Sequence, residues 1–115
     1  MSVAHVTIHS ADFESSVDFY REIVGLDIIR ELKAADRHIV FLAGEKNETA
    51  IEIIKDEKAL PVSGGISVGF RCEDIEAKHR FCEERGLAPG EIIAPGPDVR
   101  FFFIKDPNGV TIQFI

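Results

Sequence analysis

Val6, Asp12, Glu14, Phe19 and Glu22 recur in this chain as Val68, Asp74, Glu76, Phe81 and Glu84, at a constant shift of 62 residues. At a shift of 61, Gly25-Leu26 falls on Gly86-Leu87, Asn47 on Asn108 and Ile51 on Ile112. Helix caps, helix-ending glycines and strand order fall into place together, so the chain reads as two copies of one supersecondary unit.

The first copy can be read from its periodicities. Residues 3 to 9 alternate Val3, His5, Thr7, His9 against Ala4, Val6, Ile8, the period of two of a half-buried strand. Asp12 is placed to cap a helix whose apolar stripe is Phe13, Val17, Tyr20 and Val24, and Gly25 to end it. Strand-like runs follow at 26–31, 37–43 and 49–55, broken at Lys33-Ala34-Ala35-Asp36 and Gly44-Glu45-Lys46-Asn47. The second copy repeats this order: strand 66–72, a helix from Ile75 to Arg85 capped by Asp74, and strands near 91–94, 99–105 and 110–115. Asp106-Pro107-Asn108-Gly109 forms the turn into the last strand.

The expected fold is therefore α+β: two tandem βαβββ modules, 1–55 and 66–115, joined by a linker at 56–65 that contains Pro61, Gly64 and Gly65. At 115 residues and 45% hydrophobic, the chain is expected to form a single domain with a real core. Each four-stranded sheet would carry a helix on one face and leave the other toward an open half-barrel cleft, where a ligand would sit.

Alternation then selects the residues of the cleft. His5, Thr7 and His9 oppose Val6 and Ile8, and Glu52 opposes Ile51 and Ile53. Ser67 and Arg71 oppose Val68 and Phe70, and Gln113 opposes Ile112 and Phe114. The repeat pairs His5 with Ser67 and Glu52 with Gln113, four polar residues from equivalent places on four strands. His9 and Arg71, similarly related, are expected either to meet ligand carboxylates or phosphates or to pair at the surface. Phe101-Phe102-Phe103 must put aromatics on both faces of its strand, so Phe101 and Phe103 are candidates for the cleft wall. His38, His79, Cys72 and Cys82 read as packing residues, and the two thiols as reduced ones.

Several partners are excluded at this level. The formal charge is −7, with no block of basic residues interleaved with aromatics, so nucleic acid is not expected. No apolar run approaches membrane-spanning length and no leader-like segment precedes Val3, which makes a cytoplasmic location the expectation. Sheet edges and apolar rims favour a homodimer.

Ala4-His5-Val6-Thr7-Ile8, Ser16-Val17-Asp18-Phe19-Tyr20, Gly25-Leu26 and Phe103 through Gln113 with its Asp-Pro-Asn-Gly turn resemble the vicinal-oxygen-chelate superfamily of glyoxalase I, bleomycin-resistance proteins and dioxygenases. The resemblance spans essentially the whole chain. It implies a divalent metal, nickel or zinc, held at the places of His5, Ser67, Glu52 and Gln113. His5 and Glu52 keep the pattern, whereas Ser67 stands where His is typical and Gln113 where Glu is typical. Three ligands remain, His5, Glu52 and Gln113, and the only carboxylate among them able to move a proton is Glu52. The implied activity is that of a glyoxalase-like lyase or isomerase on a small oxygenated metabolite. The alternative is a metal-free protein that binds or sequesters a small molecule, as bleomycin-resistance relatives do.

Overall fold

The computed structural model describes residues 1–115, which divide into two compact units, Met1–Leu60 and Pro61–Ile115. Each unit is one βαβββ module.

In the first unit the strands β1 (His5–Ser10), β2 (Asp27–Ala34), β3 (Arg37–Ala43) and β4 (Ala50–Lys55) form one sheet in the order β1-β4-β3-β2. β1 runs parallel to β4, and the β2–β3 and β3–β4 pairs are antiparallel. Helix α1 (Phe13–Asp18) continues as a π-helical turn, Phe19–Val24, which Gly25 ends at φ 89°. Ile8, Val40, Leu42, Ile51 and Ile53 point to the helix-covered face, where Phe13, Phe19, Tyr20 and Ile23 cover them. Tyr20 is fully buried, and burying an aromatic of this size contributes about 1.5–3 kcal/mol.

Three local expectations need correction in this unit. The buried stripe is Phe13, Ser16, Phe19, Tyr20 and Ile23, with Val17 and Val24 only half-buried. The π winding changes the residues per turn and so rotates the inward face. Asp12 occupies the N-cap place but its side chain caps nothing. The corner is held instead by a buried serine pair: Ser10 and Ser16 hydroxyls lie 2.8 Å apart, Ser10 Oγ accepts from Asp12 N, and Ser16 Oγ donates to the Asp12 carbonyl. The break expected at 33–36 shrinks to Ala35-Asp36, because pairing continues through Lys33 with His38 and Ala34 with Arg37.

The second unit repeats the plan with β5 (Ser67–Phe70), α2 (Ile75–Glu84), β6 (Ile93–Gly96), β7 (Val99–Lys105) and β8 (Thr111–Phe114), its sheet ordered β5-β8-β7-β6. β5 is parallel to β8, as β1 is to β4. Here the Asp74 carboxylate does cap its helix, accepting from Ala77 N at 3.0 Å. The core is Ile75, Cys82, Phe102, Ile104, Val110, Ile112 and Phe114. Burial raises the Cys82 thiol pKa, only partly offset by the nearby Lys78 ammonium. In the Asp106–Gly109 turn, Asp106 Oδ1 accepts from both Asn108 N and Val110 N at 2.8 Å. Gly109 adopts φ 87°. A Cβ on it would sit 2.5 Å from the Val62 carbonyl oxygen, so only glycine fits this turn.

Candidate functional site

In the first unit the face of the sheet away from the helix carries a row of four residues set by strand register. Thr7 stands opposite Glu52, Glu52 opposite Phe41, and Phe41 opposite Arg30, one residue from each strand. Thr7 Oγ1 donates to Glu52 Oε1 at 2.5 Å, and His5 Nε2 lies 3.5 Å from the same oxygen. Both neighbours address Oε1, which leaves Oε2 as the open acceptor. The carboxylate is mostly shielded, its side chain 13% exposed, while the His5 side chain is 44% exposed. The His5 ring meets Phe41 edge-on at 5.6 Å between centroids, and the Arg30 guanidinium lies 5.7 Å from the Phe41 centroid. This group joins a carboxylate, an imidazole, a hydroxyl, an aromatic ring and a cation. A neighbouring apolar row on the same face, Leu32, Ile39 and Ile54, flanks it.

In the second unit Gln113 stands opposite Gly69 on one side and Phe103 on the other. Phe103 and Phe101 pack edge to face at 5.6 Å on this side, both half-buried, while Phe102 fills the core. Gly69 replaces Thr7 in the repeat. A Cβ at Gly69 would lie 3.0 Å from Gln113 Oε1, so the missing side chain is what gives the carboxamide its room.

The remaining expected residues fall as follows. His9 shares the face of His5 and Thr7, but its Nδ1 pairs with Asp56 Oδ2 at 3.1 Å, the surface pairing that was one of its two readings. Ser67 is exposed at the start of β5, opposite Thr111. Arg71 was expected on the first strand of its module and lies beyond it: β5 ends at Phe70, where Cys72 N turns to the Ile115 carbonyl at 2.7 Å. Arg71 instead borders an open concavity of about 510 Å³ with Cys72, Glu73, Pro97 and Arg100. A larger one, about 590 Å³, lies at the β2–β3 hairpin and the segment after β4, away from Glu52, and its size alone gives it no chemistry. His38 and His79 do pack, against Phe13 and Phe102, and each also makes a polar contact, His38 with Glu31 and His79 with the Gly90 carbonyl.

Sequence reading missed Arg30 and Phe41. Their signal is not in β2 or β3 alone but in a β-bulge. Ile28 pairs with Leu42 and Arg30 with Phe41, so Ile29 is an extra residue that switches Arg30 to the face of Phe41 and Glu52.

The donor set can be tested against nickel or zinc. No three His, Cys, Asp or Glu side chains gather anywhere in the chain. In the first unit His5 and Glu52 provide two donors and Thr7 already occupies one oxygen of Glu52, while the third ligand the resemblance implies, Gln113, is a neutral carboxamide in the second unit. Tetrahedral or octahedral N/O sites that hold these ions tightly need at least three protein ligands. With a neutral Gln113 and with Ser67 in the fourth place, these residues make a weak donor set and do not fit a tight nickel or zinc centre.

Residues 2–114 match the model of the Glyoxalase/Bleomycin resistance protein/Dioxygenase superfamily. The chain belongs to that superfamily. It is 23% identical over 124 aligned positions to the lactoylglutathione lyase of Haemophilus influenzae, covering 100% of this chain and 92% of that protein. Among solved structures it is similar to the trypanothione-dependent glyoxalase I of Leishmania major, with a TM-score of 0.80 at 18% identity, over 100% of this chain and 86% of that one. It is also similar to TnmS3, an antibiotic binding protein from Streptomyces sp. CB03234, with a TM-score of 0.77 at 22% identity, over 99% and 93% of the two chains. These likenesses establish the fold of two open four-stranded sheets. No helix is long and apolar enough to cross a membrane.

Proposed function

We propose that this chain acts on a small oxygenated metabolite, with Glu52 moving a proton between neighbouring carbons. The observation that carries the reading is the Thr7 hydroxyl's hydrogen bond to Glu52 Oε1, with His5 Nε2 3.5 Å from the same oxygen, which orients the carboxylate and leaves Oε2 free. A carboxylate so held can take the proton from a carbon beside a carbonyl, the electron pair passing to the carbonyl oxygen as an enolate. The His5 imidazole on the same face is the donor available to that oxygen. Where that carbon bears a hydroxyl, the hydroxyl proton passes to the former carbonyl oxygen and Glu52 returns its own proton to the former carbonyl carbon, so carbonyl and hydroxyl exchange places with no net change in charge. In the second unit Gln113, Ser67, Phe101 and Phe103 are proposed as ligand-contacting residues. Gln113 is neutral and takes no part in moving the proton.

The test is proton NMR in deuterium oxide with a panel of small hydroxyketones and hemithioacetals. Wild type should wash deuterium into the carbon beside the carbonyl, and Glu52→Gln should reduce the rate by roughly a hundredfold or more. Equal rates would overturn the assignment of Glu52.

A second reading is favoured by Ser67 and Gln113, which stand where His and Glu are typical: a metal-free protein that binds and holds a small molecule. It predicts saturable binding with no exchange on any member of the panel. In either reading the protein is proposed to be a homodimer. Strand β2 is an eight-residue edge with Ile28 and Leu32 exposed, a template for pairing that a second copy could cover. A monomeric mass by light scattering at tens of micromolar would exclude this.

A further inference from the structure

We infer that the ligand of this face is an anion, a small carboxylic acid whose carboxylate is bound by Arg30 while its oxygenated carbon lies at Glu52. The inference rests on the preceding reading only for which carbon meets Glu52; the carboxylate contact stands on separate observations.

The first is the bulge. Were the pairing regular, Ile29 would stand opposite Phe41, and alternation would set Arg30 opposite Val40 on the helix-covered face shared by Ile28 and Leu42. Bulges recur beside active sites, where they re-aim side chains. Here the side chain re-aimed is an arginine, into the row of Glu52.

The second is the state of the guanidinium. It lies against the Phe41 ring, and no acidic side chain pairs with it although the chain carries 20 Asp and Glu against 13 Lys and Arg. An aromatic face orients a guanidinium and leaves its N–H edge open, and that edge matches the two oxygens of a carboxylate.

The third is distance and surroundings. Arg30 and Glu52 are two strands apart, about 10 Å between backbones at the usual strand spacing, and the guanidinium leans inward over the intervening Phe41. A molecule with a few bonds between carboxylate and carbonyl spans this gap. Leu32, Ile39 and Ile54 alongside offer an apolar strip for its body. The negative Glu52 disfavours a carboxylate at the other end of the row, so the ligand's polarity along the row is fixed by charge.

The experiment compares 3-benzoylpropanoate with its methyl ester, by calorimetric titration and by deuterium exchange beside the ketone, on the full chain. Wild type should bind the acid at least about tenfold more tightly than the ester, as expected for a charge-assisted pair. Arg30→Gln should erase that preference by weakening the acid alone, and Arg30→Lys should restore part of it. Glu52→Gln should keep the preference and lose the exchange. Equal binding of acid and ester by wild type, no binding of either at millimolar concentration, or an unchanged preference in Arg30→Gln would each overturn the inference. Exchange that persists in Glu52→Gln with the preference intact would overturn the role of Glu52 and leave that of Arg30 standing.

Discussion

Thr7 donates its hydroxyl hydrogen to Glu52 Oε1 across 2.5 Å, whereas Gly69, its equivalent in the second module, offers Gln113 no side chain. The duplicated scaffold thus holds one polar residue of the pair in a fixed pose and gives the other space. An ionised acceptor gains from a fixed donor, while a carboxamide carries donor and acceptor of its own.

This asymmetry makes Thr7 a positioning residue. Thr7→Val should lower kcat on an exchanging substrate by roughly tenfold while changing KM little, because it removes a hydrogen bond to the carboxylate and keeps the shape. Thr7→Ser should restore most of the rate. A loss of equal size in both variants would point to β-strand packing instead.

Turnover of the hemithioacetal of methylglyoxal and glutathione should be slow or absent, with or without added nickel or zinc. Of the four places the resemblance implies for ligands, two carry Ser67 and Gln113 in place of the typical His and Glu, a donor set that holds such an ion weakly and lacks the second carboxylate. Melting temperature should likewise shift little with metal at a hundred micromolar, since stabilisation by a ligand depends on its concentration relative to its dissociation constant. Rates in the ordinary enzyme range with nickel would show that these residues bind metal better than their chemistry implies.

The two cysteines should differ in reactivity. Cys82 is fully buried and its thiol pKa is raised by burial, while Cys72 is half-buried. An aromatic disulfide reagent at pH 8 should label Cys72 in the native protein and both residues in denaturant. The linkage to stability has a definite sign: the unfolded thiol ionises near its ordinary value of 9.0, the folded one at higher pH. The contribution of Cys82 is therefore fully present below pH 9 and is lost as pH rises above it. Cys82→Ala should flatten that part of the stability profile.

Gly109→Ala should destabilise the chain by at least about 2 kcal/mol, read as a lower denaturation midpoint at unchanged m-value. The new methyl meets both an unfavourable positive φ and the Val62 carbonyl, whose own amide N–H donates to the Asn108 carbonyl at 2.7 Å. Gly25→Ala, with a similar φ but nothing within 4 Å, should cost less. Equal losses would mean that the Val62 contact adds nothing.

The sequence by itself determined the duplication, the order of elements and the shared face of His5, Thr7 and Glu52, though not the place of Arg71, which lies beyond its strand. Those features depend on local signals: Asp74 capping its own helix, Gly25 and Gly86 ending theirs at positive φ, and the alternation that separates His5, Thr7 and Glu52 from Ile8, Ile51 and Ile53. Only the tertiary structure decided which residues meet. That Thr7 faces Glu52 and that a bulge at Ile29 swings Arg30 beside Phe41 follow from pairings between strands, and a π turn in the helix moves the buried stripe to Ile23. Alternation fixes a side chain's face but not its partner in the next strand, because register is set by hydrogen bonds and packing across the sheet, and a single inserted residue reverses it.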